Sequence, residues 1–139
     1  QNEMGFLQSG ANNQTATYWT DQQAGWALER EYAEAAAKVI TLENPDAIYE
    51  FAGKIRSYAD LGADFQKATG NNFEVKQVSR DDYQAQLQAG GLDTDTAALF
   101  TSFQAPIEDG SLSHQSDSLA KVLGRELTSL PEATNEILN

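Results

Sequence analysis

Apolar side chains recur along this chain with two periods, which predicts a mixture of helices and short strands. β-Branched and aromatic residues over 15–19 predict a strand, and a turn at 21–25 leads to a predicted short returning strand at 26–28. The compact apolar run at 48–52, with the sequence IYEFA, is typical of a buried strand. Alternation of apolar and polar residues over 73–78 predicts a half-exposed strand.

The clearest helical pattern covers 29–42 and is rich in alanine. Its predicted apolar side carries four residues: Tyr32, Ala36, Val39 and Ile40. A second helical pattern covers 93–108, and Pro106 predicts a kink or an early end there because proline cannot donate the helical hydrogen bond. At the amino end, the pattern predicts the end of a helix at 4–7 and a loop over 8–14.

The tail over 116–132, SDSLAKVLGRELTSLPE, predicts two short helices that pack as a hairpin and close a domain. The serine and aspartate at 116–117 are candidate caps of the first helix, and Gly124 supplies a positive-φ stop. Ser129 and Glu132 form a capping box at the start of the second. Helices outnumber strands, so the predicted fold class is α/β with several helices and a few short strands.

Bulk composition restricts the possible partners. The chain has 139 residues, which is about one domain, and a net charge of −12 that repels nucleic acid and anionic lipid. It has no cysteine, no apolar run approaching the ~20 residues that span a bilayer, and no signal-peptide pattern at its amino end. We therefore expect a cytoplasmic protein. Because the sequence begins at Gln1 without an initiator methionine, we expect a chain cut from a longer one.

Polar motifs favour capping over metal binding. Capping boxes beginning at Ser57 and Ser79 predict two further helix starts. Acidic residues also lie at predicted helix starts: Asp81, Asp82, Asp93 and Asp95. No calcium-binding loop motif is present, and His114 is the only histidine in a chain without cysteine, so no metal site is predicted. We expect His114 to lie in a surface loop.

Three aromatic residues, Tyr18, Trp19 and Trp26, form a cluster on the predicted hairpin. Core packing is the default interpretation of such a cluster. A stacking surface for a flat substrate is the alternative, and the sequence leaves both open.

Several segments resemble one known family. The Leu-Gly-Arg of 123–125, followed by a Thr-Ser-Leu-x-Glu helix start, resembles the end of the NmrA-like atypical short-chain dehydrogenases, with most similarity to their bacterial NAD(P)H:quinone oxidoreductase branch. The segment 30–36 resembles the family's Arg-x-Asp-Tyr-Ala-x-Ala helix start, with Glu31 where Asp is usual. The segment 49–53 is similar to the family's Tyr-Glu-Leu-Ala-Gly strand. Residues 1–2 resemble the end of a Tyr-x-Glu-Asn signature, with Gln in place of Glu.

The resemblance implies that the whole chain, 1–139, is the substrate-side domain of such an oxidoreductase. The family's front half is a Rossmann domain, yet this sequence has neither a Gly-rich dinucleotide motif nor a Tyr-x-x-x-Lys pair. The cofactor-binding domain is therefore expected to be absent, with NAD(P)H bound by the full-length parent and no cofactor held by this chain alone. The implied substrate is a quinone-like molecule.

The resemblance also implies site residues and alternatives. Asn2 would line the substrate cleft, and Phe100 and Phe103 would lie near its mouth; no catalytic residue is identified. The chain is expected to self-associate through the face that the other domain would cover. The alternatives are an NmrA-like non-enzymatic dinucleotide sensor or interaction module, and a self-standing α/β binding domain.

Overall fold

The computed structural model describes Phe6, Ser9, Asn12 and residues 15–138. The described strands are β1 Thr15–Tyr18, β2 Gln23–Trp26, β3 Lys54–Ser57 and β4 Glu74–Gln77. The described helices are α1 Glu29–Ile40, α2 Tyr58–Thr69, α3 Arg80–Ala89, α4 Thr94–Ser102, α5 Ala105–Glu108, α6 Ser118–Leu123 and α7 Leu130–Leu138. The predicted α/β class is thus confirmed. The loop predicted over 8–14 is wrong at Ser9 and Asn12, which are helical; the helix end predicted over 4–7 lies outside the described residues except for Phe6, which is helical.

The strands form two separate pairs. β1 lies parallel to β4, with Thr15 opposite Glu74, and β2 lies antiparallel to β3, with Gln23 opposite Ser57. The strand predicted at 15–19 is confirmed, but the predicted hairpin is wrong, because the next strand begins at Gln23 and pairs with β3. Thr20, which follows β1, is bound to the α4–α5 region instead of turning back along β1. Its N–H donates to Gln104 Oε1, and its Oγ1 donates to Glu108 Oε2.

Helix α1 occupies the predicted segment, but only part of its predicted apolar side is covered: Tyr32 packs against the cluster around Ala35, whereas Ala36 is exposed. Its fully buried residues are Glu31 and Ala35, whereas Ile40 is 83% exposed. The carboxylate of Glu31 determines which face turns inward, because it binds Arg125 and the backbone of Thr128 in the tail.

The buried strand predicted at 48–52 is also wrong. These residues form no strand, and Ile48 is 79% exposed. The strand instead begins at Lys54, directly after Gly53. A Cβ at Gly53 would lie 2.1 Å from the backbone of Trp26, so only glycine permits the approach that starts this pairing.

The remaining helix predictions are mostly confirmed. The 93–108 pattern divides into α4 and α5, with Pro106 in the first turn of α5. In the tail, Gly124 ends α6 with φ 72°, and Ser129 and Glu132 cap α7. The predicted hairpin of these two helices is wrong, because α6 packs on α1 while α7 packs on α2. Each helix buries its apolar stripe against a longer helix rather than against the other.

The main core surrounds the fully buried ring of Tyr58 at the start of α2. Tyr18 stacks on it at 5.4 Å between centroids, and Trp26 meets it edge-on at 5.4 Å. Core packing of Tyr18 and Trp26 is therefore confirmed, whereas Trp19 does not join this cluster. Among the described residues, no helix is long and apolar enough to cross a membrane.

Candidate functional site

The parallel strands β1 and β4 end side by side, where Tyr18 is opposite Gln77. We call the region formed there the carboxyl edge. Its residues are Trp19, Thr20, Arg80 and Gln104. Ligands of open α/β sheets bind outside the carboxyl ends of parallel strands. This edge is consequently the first place to examine for a binding site.

The indole of Trp19 is fixed in orientation at the carboxyl edge. Its Nε1–H donates to the carbonyl of Thr101 at 2.9 Å, and the guanidinium of Arg80 lies 5.3 Å from the ring centroid. The backbone N–H of Trp19 donates to Gln104 Oε1 at 2.9 Å, and its carbonyl accepts from the Gln77 side chain at 3.3 Å. The guanidinium over one ring face, together with the hydrogen bonds of the indole N–H and of the Trp19 backbone, holds this aromatic ring in one position.

Gln104 joins the helical region to the strand ends. It is 3% exposed, and its Oε1 accepts hydrogen bonds from the backbone N–H groups of Trp19 and Thr20. Thr20 Oγ1 in turn donates to Glu108 Oε2 at 2.5 Å. A neutral amide at this buried position satisfies two backbone donors without placing a charge in the interior.

Phe100 lies on α4, the helix whose Thr101 binds Trp19, and Phe103 lies at the C-cap of the same helix. Their rings meet edge-to-face at 5.4 Å and 88°, and they are 42% and 43% exposed. Leu99 beside them is 55% exposed, so this face of α4 presents apolar surface to solvent. Asn2, the third predicted site residue, lies outside the described residues, and all three roles stay predictions.

An open groove of about 720 Å³ lies between β4 and α3. Its lining mixes polar and apolar residues and comprises Lys76, Gln77, Val78, Ser79, Asp82, Ala85, Gln86 and Ala89. Neither Phe100 nor Phe103 lines it. The groove includes Gln77 at the end of β4, and the aromatic pair is a separate feature.

Four described helix starts do not fit a dinucleotide pyrophosphate, and the uncapped start of α1 carries the acidic residues Glu29 and Glu31 in its first turn. Such a group binds open peptide N–H donors at a helix N-terminus, but four helices here begin with a side chain that already occupies those donors. The capping residues are Ser57 of α2, Ser79 of α3, Asp93 of α4 and Ser129 of α7. At α2, hydrogen bonds from Ser57 hold the pKa of the Asp60 carboxyl below its usual range, so the cap is negatively charged at neutral pH.

The most buried carboxylate among the described residues is that of Glu31 on α1, and it binds the tail rather than the carboxyl edge. Glu31 is fully buried, and its Oε1 accepts from the Thr128 N–H, Thr128 Oγ1 and Arg125 Nη1 at 2.8–2.9 Å. Burial acts to raise the pKa of this carboxyl, but the hydrogen bonds from Thr128 and Arg125 outweigh it, and the pKa lies below its usual range. Arg125 also binds Glu34 at 2.8 Å.

His114 lies in a surface loop, as predicted. Its Nε2 is 3.2 Å from Glu50 Oε2, and both side chains are about two-thirds exposed. Within the part of the chain that the structure describes, no three histidine or acidic residues come together as a possible metal site.

Sequence reasoning missed Arg80 and Gln104 of the carboxyl edge. Arg80 directly follows Ser79, a predicted helix cap after a predicted strand, and this position could have identified it. Gln104 offered no local signal, because its partners Trp19 and Thr20 are more than 80 residues away.

Comparison with known proteins supports the family resemblance. No known family profile matches the chain. It is 28% identical over 121 residues to quinone oxidoreductase 2 of Escherichia coli, covering 86% of this chain and 42% of that protein. It is 27% identical over 104 residues to the uncharacterized oxidoreductase YesF of Bacillus subtilis, covering 73% of this chain and 36% of that protein.

Solved structures give the same result. The E. coli NADPH-dependent quinone oxidoreductase in complex with NADPH matches 99% of this chain and 50% of its own, with a TM-score of 0.86 and 26% identity. The triphenylmethane reductase of Citrobacter sp. in complex with NADP(H) matches in fold, with a TM-score of 0.82 and 21% identity over 94% of this chain and 46% of its own. The chain thus spans about half the length of the relatives that it matches.

Proposed function

We propose that this chain is the substrate-side portion of an NAD(P)H-dependent oxidoreductase, on the basis of its homology to quinone oxidoreductase 2 and of the resemblance of its motifs to the second half of the NmrA-like oxidoreductases. The full-length parent reduces a quinone-like acceptor in the cytoplasm. The observation that carries the proposal is a match along nearly the whole chain, in sequence over 86% of it and in structure over 99%.

In this function the chain positions the acceptor, while the other half of the parent holds the dinucleotide. NAD(P)H supplies the hydride. Phe100 and Phe103 offer exposed ring surface at the cleft mouth, Trp19 offers a fixed aromatic surface on the neighbouring strand end, and Asn2 lines the cleft. Holding a flat acceptor close to the nicotinamide lowers the barrier through proximity and orientation, with no acid or base required from this half.

The test is NADPH oxidation by the full-length protein with a quinone as acceptor. We expect turnover that depends on the quinone, and no turnover by the 139-residue chain alone. A full-length protein that binds NADPH but oxidises none of it with any quinone would instead support the alternative, a non-enzymatic dinucleotide sensor or interaction module.

Calorimetric titration of the isolated chain with NADPH tests its place in the parent. We expect no binding, because four helix starts are already capped by side chains, the uncapped start of α1 carries Glu29 and Glu31, and the net charge is −12. Tight NADPH binding by the isolated chain would contradict its assignment as the substrate-side portion.

We further propose that the isolated chain self-associates through the face that the other half covers. Large apolar side chains are exposed along one stretch of sequence: Ile40 at 83%, Leu42 at 45% and Ile48 at 79%. Exposed apolar surface of this kind promotes association. Sedimentation should show oligomers at high concentration, and a monomer at every concentration would contradict this part of the proposal.

A further inference from the structure

The guanidinium of Arg80 at the carboxyl edge forms no ion pair with any described residue. Arg30 and Arg125 bind carboxylates elsewhere in the chain, and Arg56 donates to a backbone carbonyl. The contact that the structure gives Arg80 is with the ring of Trp19. Because Asp and Glu number 21 and Lys and Arg only 9, carboxylate partners are abundant in this chain. A guanidinium that nevertheless has none keeps its charge available for a ligand.

Helix propensity does not explain why an arginine stands at this position. Arg80 is the first residue of α3, directly after the capping residue Ser79. A helix N-terminus carries partial positive charge, so it favours acidic side chains and disfavours a cation. The next two residues, Asp81 and Asp82, follow this rule, and Arg80 does not. The role of its charge is therefore to be sought in what lies in front of the guanidinium.

The contact with Trp19 positions the guanidinium and leaves its donors free. The group lies 5.3 Å from the ring centroid, and the ring is held by the hydrogen bond from its Nε1–H to the carbonyl of Thr101. An arginine over an aromatic face keeps its planar fork of N–H groups, which matches the paired oxygens of a carboxylate or a similar oxyanion. A fork that is already positioned loses less conformational freedom when it binds such a group.

The neighbouring carboxylates have donors of their own. Asp82 Oδ2 accepts from the hydroxyl of Ser79 at 2.7 Å, and Glu108 Oε2 accepts from Thr20 Oγ1 at 2.5 Å. Neither forms an ion pair with Arg80. The net charge of −12 repels anions over a distance, so any affinity for an anion at this edge has to come from a local cation.

Exposed aromatic surface lies on the adjoining helix. Helix α3 packs against α4, on which Phe100 is 42% exposed, with Phe103 at its C-cap 43% exposed. The two helices are also linked through Trp19, which contacts Arg80 of α3 and donates to Thr101 of α4. Apolar surface for a flat ring and a free guanidinium for an oxyanion thus belong to neighbouring elements.

We propose that Arg80 determines acceptor specificity, by giving the site a preference for flat acceptors that carry an anionic oxygen group. The aromatic side chains take the ring of the acceptor, and the guanidinium binds its carboxylate, sulfonate or ionised hydroxyl. This inference rests on the proposed function, since the flat acceptor is the substrate assigned there. Arg80 is here a binding residue and takes no part in the transfer of the hydride.

Calorimetric titration of the 139-residue chain with two naphthoquinones tests the preference. Lawsone carries an ionised hydroxyl at neutral pH, and menadione carries a neutral methyl group on the same ring system. We expect the chain to bind lawsone more tightly, and Arg80→Gln to shift the ratio of the two Kd values about fivefold toward menadione, the factor that an exposed ion pair contributes. Arg56→Gln is the matched control, because it removes the same charge from an exposed arginine on β3, and it should keep the ratio.

Three results would overturn the proposal. If Arg80 only held the indole in place, Arg80→Gln would weaken the binding of both naphthoquinones equally and leave their ratio unchanged. If the overall charge of the chain set the preference, Arg56→Gln would shift the ratio as much as Arg80→Gln. Binding of neither naphthoquinone would also contradict the proposal, since every contact that it invokes belongs to this chain.

Turnover by the full-length protein separates this inference from the proposed function. With NADPH as donor, kcat/KM is measured for anthraquinone sulfonate and for menadione, and Arg80→Gln should lower the ratio of the first to the second about fivefold. Reduction of both quinones with a ratio that Arg80→Gln leaves unchanged would overturn the anion preference and leave the function standing. A shift of the binding ratio by Arg80→Gln without reduction of any quinone would support anion recognition and contradict the function.

Discussion

Two regions of this protein use a buried polar side chain to join distant parts of the chain, and they differ in what surrounds it. At the tail junction, which we define by Glu31, Arg125 and Thr128, a buried carboxylate receives hydrogen bonds from residues more than 90 positions away. At the carboxyl edge, the buried amide of Gln104 accepts from Trp19 and Thr20.

The surroundings of the two buried groups distinguish a structural contact from a candidate binding site. Further polar contacts lie around the tail junction. Arg125 also binds Glu34, and Arg30 binds both Glu136 and Thr128. Next to the carboxyl edge, by contrast, α4 carries exposed aromatic rings. A buried polar group alone therefore indicates a structural contact, and the proposed binding role of the carboxyl edge depends on the exposed apolar rings beside it.

The largest expected effect on stability comes from Glu31→Gln at the tail junction. The amide keeps the shape but loses the charge that Arg125 and Thr128 bind, so the free energy of unfolding should fall by about 2–3 kcal/mol. Denaturant titration measures it. Glu34→Gln is the matched control, because that carboxylate also binds Arg125 but is 39% exposed, and its effect should be much smaller. Equal losses would show that the burial of Glu31 contributes nothing.

At the carboxyl edge, Gln104→Leu should cost about 1–3 kcal/mol, because two backbone N–H groups lose their buried acceptor. Gln104→Glu keeps that acceptor and serves as the control for the hydrogen bonds, with the added cost of a buried charge. Far-ultraviolet circular dichroism during denaturation measures both variants. If Gln104→Leu were as stable as the unsubstituted chain, the hydrogen bonds to Trp19 and Thr20 would not hold the α4–α5 region to the strands.

Acid should weaken the tail junction. The pKa of Glu31 is lowered in the folded state, so this group stabilises the fold above its unfolded pKa of about 4.3 and ceases to do so as pH falls through its folded pKa. Stability measured from pH 7 downward should decline below about pH 4.3, and more steeply in the unsubstituted chain than in Glu31→Gln. Parallel declines would exclude Glu31 as a source of the acid sensitivity.

The smallest effect on stability is expected for Phe100→Ala and Phe103→Ala. Both rings are nearly half exposed, so each variant should lose under about 1 kcal/mol. In the full-length protein, each should raise the KM for a quinone roughly fivefold, the equivalent of about 1 kcal/mol of ring contact, without lowering kcat. Leu112→Ala, an equally exposed substitution, should leave KM unchanged. A KM that responds equally to all three variants would remove the two rings from the site.

Local signals predicted most of the helices. Ser57, Ser79, Asp93 and Ser129 each cap the helix that the sequence placed after them, because a cap needs only its own four residues. Gly124 ends α6 for the same kind of reason. Phe100 and Phe103 were predicted to lie near the mouth of the cleft; their rings meet in the structure, and their role at the cleft stays a prediction.

The sequence predictions that were wrong concern features that depend on residues far away in the sequence. The inward turn of Glu31 depends on Thr128, and the register of β2 depends on β3, neither of which a local pattern contains. The segment 48–52 reads as a buried strand, but among the described residues there is no strand to bury it. Strand pairing is determined by what lies alongside, so the same sequence is exposed here.

The two tryptophans lie in different regions, so their intrinsic fluorescence reports on two different events. Trp26 lies against Tyr58 in the main core, while Trp19 lies under Arg80 at the carboxyl edge, and no other tryptophan is present. Emission from Trp26 therefore follows unfolding of the core. Emission from Trp19 follows events at the strand ends, where a bound quinone would quench it. With Trp26 replaced by Phe, a single fluorophore would register occupancy of the cleft without any label.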